Sequence, residues 1–241
     1  MNEERMYHIA LKKGEVGRYV LLPGDPFRTD LIAASLDHAV LVAHNREHKT
    51  WTGTLDGEMV SVTSTGMGCP STAIAVEELI RCGADTFIRV GTCGRVCDRA
   101  MDETLDGAIA TAAVRDEGTT RQYIPIEYPA VADRKVLNAL TGAAHTLGYR
   151  FIEGISHSKD SFYGEVEPQT MPLQGMLESR WEAWKKGNVV CSEMEAAALF
   201  VISSVRSCRA GAILSFGDIH KAIDVACLAI RLIIKEDKAN V

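Results

Sequence analysis

Chemistry is most plausible where costly residue types meet permissive backbone. Arg89 lies in the apolar run Ile88-Arg89-Val90 and is followed by Gly91-Thr92-Cys93-Gly94. A buried guanidinium is expensive unless an anion balances it. Glu77, Glu78, Glu193 or Glu195 could supply that charge, or a bound anion could, and Thr92 with two glycines leaves room for a small anion or a sugar hydroxyl. A second group, Gly24-Asp25-Pro26-Phe27-Arg28, follows the apolar run Tyr19–Pro23. Glycine lets a backbone N–H approach an oxyanion, and arginine adds a fork of donors; an ordinary strand–loop–helix turn would use the same residues. In Ser192-Glu193-Met194-Glu195 the two carboxylates stand at i and i+2, so they do not share a helix face. One can face a cleft while the other caps backbone N–H groups or pairs with a cation, although acidic residues also suit any first helical turn. His44-Asn45-Arg46-Glu47-His48-Lys49 reads as a solvated loop.

Other chemistries lack their residues. There is no G-x-S-x-G elbow for a serine hydrolase. From the seven histidines no metal site is expected. The seven cysteines are odd in number and contain no C-x-x-C, which predicts scattered reduced thiols and a cytoplasmic setting. The chain of 241 residues carries 26 Lys plus Arg against 32 Asp plus Glu, a formal charge of −6 that argues against a dedicated nucleic-acid binder. With 46% apolar residues a core is affordable, and no run suits a membrane helix. The opening MNEERMYHIALKKGE has no apolar h-region, so no signal peptide is expected.

The elements that must position these groups alternate strand and helix. Tyr19–Pro23, Thr86–Val90, Gly107–Ala113, Arg150–Ser156 and Ala210–Ser215 read as strands. Trp51–Leu55 and Glu58–Ser64 flank Asp56-Gly57, a hairpin signal. Ser71 is placed to cap a helix over Thr72–Cys82 that Gly83 ends. Further helices are predicted over Asp133–Leu147, over Glu178–Lys186 with Trp181 and Trp184, and from Ser192 to Val205. A last amphipathic helix starts near Lys221, with Ile223, Ala226, Cys227, Ile230, Ile233 and Ile234 on one stripe. No linker or repeat divides residues 1–241, so one α/β domain is expected.

In order along the chain, GDPFR (Gly24–Arg28), NRE (Asn45–Glu47), STGMGCPST (Ser64–Thr72), VEEL (Val76–Leu79), IRVGTCG (Ile88–Gly94), EYPAVAD (Glu127–Asp133), SKDSFYGE (Ser158–Glu165), SEMEAAALF (Ser192–Phe200) and RAGAIL (Arg209–Leu214) resemble the nucleoside phosphorylase family, most closely its uridine phosphorylases. The resemblance spans nearly the whole chain and implies a three-layer α/β/α sandwich with a mixed, partly barrel-like central sheet. It implies reversible phosphorolysis of a pyrimidine nucleoside to free base and ribose 1-phosphate, with no metal or redox cofactor. By the same resemblance, Gly24, Arg28, Arg89 and Thr92 would hold phosphate together with Arg46 from a neighbouring subunit, and the phosphate would balance Arg89. Glu195, Met194 and Thr92 would meet the ribose with His8 of that neighbour, and Phe162 and Glu165 would meet the base. Arg89 and Glu195 would be the catalytic pair. Sites shared this way imply a homodimeric unit, usually three to a hexamer, and Glu47 with Ser71 match positions that hold a monovalent cation between subunits in some members. Nucleoside and phosphate are the expected partners, with no membrane and no nucleic acid.

The chain departs from the family near the base. Glu165 stands where glutamine is expected, and Thr170 near an expected arginine, with Gln169 a possible substitute. A loop of a dozen or more residues is expected between RAGAIL and the last helix, yet Ser215–His220 joins them almost directly. Asp218 lies where a purine phosphorylase would keep its proton donor, which makes the purine branch the alternative. The retained arginines argue against a hydrolytic nucleosidase. A catalytically weak nucleoside-binding protein is the reading from another class.

Overall fold

Tyr19–Leu22 is buried along its whole length, and its side chains alternate between two cores: Val20 and Leu22 face one, Tyr19 and Leu21 the other. Burial on both faces marks a central strand with helices on either side. The structure, a computed structural model, describes residues 5–239. Among them eleven strands form one sheet: β1 (Tyr19–Leu22), β2 (Asp37–Asn45), β3 (His48–Leu55), β4 (Glu58–Thr63), β5 (Thr86–Thr92), β6 (Gly94–Arg95), β7 (Gly107–Asp116), β8 (Ala130–Val131), β9 (Phe151–Lys159), β10 (Cys191–Glu193) and β11 (Arg209–Ser215). The helices are α1 (Pro26–Ala33), α2 (Cys69–Cys82), α3 (Arg134–Leu147), α4 (Phe162–Val166), α5 (Gln174–Lys186), α6 (Ala196–Val205) and α7 (Ile219–Ala239).

The strand order is β2-β3-β4-β1-β5-β11-β7-β9-β10-β6, with β8 beside β7. β1, β4, β5 and β11 pair in parallel, β11 meets β7 antiparallel, and β7, β9 and β10 run parallel. β6 follows β5 after a single residue and pairs antiparallel with β10. The path β5-β11-β7-β9-β10-β6 therefore returns on itself, and that half of the sheet is barrel-like, as the resemblance implied. Helices α2 and α6 fill one core, and α1, α3 and α7 the other. The predicted stripe of α7 is the buried one.

Local signals were read correctly at Asp56-Gly57 (φ +50° and +80°) and at Gly83 after α2; the Asp133 carboxylate caps α3 and Gly148 ends it. Three expectations are corrected. Helix α2 begins at Cys69, so Ser71 is inside it rather than capping it, and its Oγ lies 2.8 Å from Glu47 Oε1 and 2.5 Å from Thr65 O. Ser192–Glu195 is not a helix start: it is the end of β10 and the turn into α6, which opens at Ala196. His44–Lys49 is no solvated loop but the tight turn between β2 and β3, with Arg46 at φ +53° and His48 buried. The connection from β11 to α7 is as short as the sequence shows, with only Phe216, Gly217 and Asp218 between them.

Candidate active site

The C-terminal ends of β1, β5, β9 and β10 open into one cavity of about 900 Å³, lined by Gly24, Arg28, Arg89, Thr92, Met194 and Glu195 among others. Asp25 shapes the entrance to α1: its Oδ1 accepts the Phe27 N–H at 2.9 Å, and Pro26 suits the first helical turn. This turn carries Arg28 into the cavity wall. Among the described residues no side chain pairs with the Arg28 guanidinium, which leaves it for an anion.

Arg89 is 5% exposed in the central strand β5. Its Nε donates to Glu193 Oε2 at 3.0 Å, and its Nη2 pairs with Glu195 Oε2. Burial works against the charged guanidinium, but the two carboxylates outweigh it and raise the Arg89 pKa. A bound phosphate is therefore not what makes this arginine tolerable in the strand: Glu193 and Glu195 already balance it. Glu193 also accepts the N–H groups of Glu195 and Ala196, each at 2.8 Å, so it closes the first turn of α6. Glu195 accepts the N–H of Gly68 at 2.6 Å. Gly68 precedes α2 at φ +87°, a conformation that favours glycine, so the positive end of that helix points at Glu195. Burial raises the Glu195 pKa; Arg89 opposes the shift and Glu193 adds to it. Both carboxylates line the cavity and pair with Arg89, and each also holds backbone N–H groups, Glu193 at the turn into α6 and Glu195 at Gly68.

Phe162, Glu165 and Lys159 also line the cavity. Ser192 Oγ donates to Glu165 Oε2, Lys159 Nζ lies 3.2 Å from the same oxygen, and His157 Nδ1 lies at 3.5 Å. Burial pushes the Glu165 pKa up, but these donors hold it below the ordinary carboxylate value. His157 Nε2 in turn meets Asp116 Oδ2 at 3.0 Å, and its ring lies near both Trp181 and Trp184. This chain of polar groups forms part of a second cavity of about 460 Å³, which shares Lys159 and Glu165 with the first. Sequence reasoning missed Lys159, His157 and Asp116. A cation ending the strand Phe151–Lys159 was the available signal, of the same kind as Arg89.

His8 and Arg46 do not line this cavity. His8 Nδ1 is 2.6 Å from Glu78 Oε1, the Asn45 side chain donates to His8 O at 2.7 Å, and Arg46 lies over the Tyr7 ring at 5.8 Å. The two predicted donor residues thus form one surface unit, with Tyr7 75% exposed beside them. Gln169, Thr170 and Asp218 also lie outside the cavity lining, and Asp218 accepts the N–H of His220 at 2.9 Å at the start of α7. No group of three or more His, Cys, Asp or Glu among the described residues is placed to hold a metal ion, and no helix among them is long and apolar enough to cross a membrane.

Residues 18–233 match the Phosphorylase superfamily. The chain is 47% identical to a uridine phosphorylase of Treponema pallidum, covering 96% of this chain and 95% of that one. It is 48% identical to a uridine phosphorylase of Thermococcus kodakarensis, over 88% of this chain and 76% of the relative. A guanosine phosphorylase of Halorubrum lacusprofundi is 41% identical, over 86% and 80%. With the phosphorylase match spanning most of its length and the curved sheet bringing six of the nine matching motifs to one cavity, the chain belongs to the phosphorylase superfamily.

Proposed function

We propose that this chain catalyses the reversible phosphorolysis of uridine to uracil and ribose 1-phosphate. The observation that carries the reading is the cavity in which Arg28, Arg89 and Thr92 stand beside Met194 and Glu195. The similarity to proteins named uridine phosphorylase supports it. Phosphate binds to the Gly24 N–H, Arg28, Thr92 and the donors of Arg89 that Glu193 and Glu195 leave unused. Glu195 accepts a ribose hydroxyl while Met194 packs on the sugar. A phosphate oxygen forms the new bond to C1′ as the C1′–N bond breaks, and the bond pair leaves with the base, which takes up a proton. The transition state carries oxocarbenium charge at C1′, which the phosphate dianion stabilises, so orientation and electrostatics supply the catalysis.

Arg46 and His8 act on the neighbouring subunit's cavity in this reading, which makes a dimer the working unit and a hexamer of three dimers the assembly. Tyr7, 75% exposed beside His8 and Arg46, supports a partner at that unit. A monovalent cation at Glu47 and Ser71, no other cofactor, and a cytoplasmic setting complete the proposal. The test is base release from uridine, thymidine and inosine, each with and without phosphate. Uracil release that requires phosphate supports the reading; release of uracil at the same rate without phosphate, or tight binding with no release, overturns it.

A further inference from the structure

Glu165, which departs from the family pattern near the base, and its neighbour Lys159 leave a specific set of valences open. All three recorded contacts of Glu165 fall on Oε2, from Ser192, Lys159 and His157, so Oε1 is left for a ligand. Lys159 Nζ has three N–H donors. One goes to Ser192 Oγ at 2.8 Å and one to Glu165 Oε2 at 3.2 Å, which leaves a third. Both side chains line the cavity that holds Arg89 and Glu195, and the Lys159 ammonium lies 5.8 Å from the centre of the Phe162 ring. Lys159 is only 7% exposed, so bulk water competes little for its donors. Strand β9 fixes Lys159 through its register opposite Asp116 of β7, and α4 fixes Glu165, so the two groups are held rather than mobile.

We infer that Lys159 and Glu165 together read the base edge, and that the edge they select is an N–H next to a carbonyl. Glu165 Oε1 accepts the ring N–H, and the Lys159 ammonium donates to the adjacent carbonyl oxygen. The inference rests on nucleoside phosphorolysis in this cavity and adds its selectivity. Uracil presents that edge at N3–H and O4; guanine and hypoxanthine present it at N1–H and O6. Cytosine and adenine present the reverse, a ring nitrogen acceptor beside an amino donor, which sets a lone pair against the carboxylate and N–H groups against the ammonium. Glu165 is held ionised by its donors, so at neutral pH it accepts and cannot donate. The substrate class is therefore nucleosides of lactam or imide bases, cutting across the pyrimidine–purine division.

The experiment is kcat/KM for uridine, inosine, guanosine, cytidine and adenosine at saturating phosphate, for the unaltered protein and for Glu165→Gln, Lys159→Met and Lys159→Arg. The unaltered protein is expected to use uridine and at least one of inosine and guanosine, with cytidine and adenosine lower by about a hundredfold or more, because unpaired buried polar groups discriminate strongly. Glu165→Gln, whose amide can turn its donor to a ring nitrogen, should narrow the uridine-to-cytidine ratio at least about tenfold. Lys159→Met should lower uridine turnover about tenfold or more, and Lys159→Arg should restore much of it. Thermal shifts on adding uracil or cytosine give a second readout for any variant of low activity, and the variant should bind uracil no better than cytosine. Equal use of cytidine and uridine by the unaltered protein overturns the inference, as does unchanged selectivity in both Glu165→Gln and Lys159→Met, or use of uridine alone. No phosphate-dependent release from any nucleoside would instead overturn the phosphorolysis reading, a distinguishable outcome.

Discussion

Glu193 Oε2 lies 3.0 Å from Arg89 Nε, and the same oxygen closes the first turn of α6 by accepting the N–H groups of Glu195 and Ala196. A single buried atom therefore ties the central strand, the barrel half of the sheet and the helix behind the cavity. Glu193→Ala would leave a buried guanidinium short of charge and two N–H groups unpaired. We expect it to destabilise the protein by about 3–5 kcal/mol, the range for breaking one side of a buried ion pair. Glu193→Gln keeps an acceptor oxygen and should cost less. Urea unfolding of the three proteins checks the order; equal stability of Glu193→Ala and the unaltered protein would remove Glu193 from this role.

Glu195 lines the cavity beside Glu193, accepts the Gly68 N–H and pairs with Arg89. If it reads a ribose hydroxyl, Glu195→Gln should reduce kcat/KM for uridine by about tenfold to a hundredfold, the worth of one charge-assisted hydrogen bond. The 2′-deoxy substrate should lose less, because one of the contacts is already missing. Steady-state kinetics on the two nucleosides measures this, and an identical loss for both would point to a purely structural role.

Much of this architecture was legible in the chain. Turns with steric requirements were readable, since Asp56-Gly57, Gly83 and Gly148 adopt positive φ where few residues can. Strands buried on both faces were readable from apolar runs, and so was the stripe of α7. The edge strand β2 was not, because its residues are largely exposed and Val40 and Leu41 break any alternation. The Ser192–Glu195 segment was misread because acidic residues before an apolar run look like a first helical turn. Its true conformation depends on Arg89, more than a hundred residues earlier, which no local pattern carries. The same is true of the Asp116–His157–Glu165 chain, which exists only because β7, β9 and β10 end side by side.

His157 gives a pH signature. Burial favours its neutral form, but Asp116 and Glu165 outweigh burial and raise its pKa above the ordinary histidine value. The folded protein then holds this proton more tightly than the unfolded chain does. The stabilisation is complete below the unfolded value, about 6.5, and is lost as pH rises through the raised folded value. The melting temperature should therefore fall with rising pH across that window, and His157→Asn should flatten the fall. Asp116 and Glu165, both held low by their partners, act in the opposite sense only at acidic pH. An identical slope in the variant would show that His157 does not carry it.

If Arg46 and His8 serve a neighbouring cavity, an Arg46→Ala protein and an Arg89→Met protein are defective in different subunits' contributions to one site. Each alone should be nearly inactive. Denatured together and refolded, they should recover activity, because some mixed dimers contain one intact site. No recovery, with mixed assembly shown by mass spectrometry, would place all functional groups within one chain.

The most direct test of the phosphate site uses Arg28, because no other described side chain pairs with it and its loss should leave the fold intact. The measurement is uracil release from uridine against phosphate concentration for the unaltered protein and Arg28→Ala. We predict saturable dependence on phosphate, and a rise of about tenfold or more in the phosphate KM of the variant, the loss of a charge-assisted contact to a dianion. An unchanged phosphate KM in Arg28→Ala, or uracil release that needs no phosphate, would contradict the assignment of this cavity.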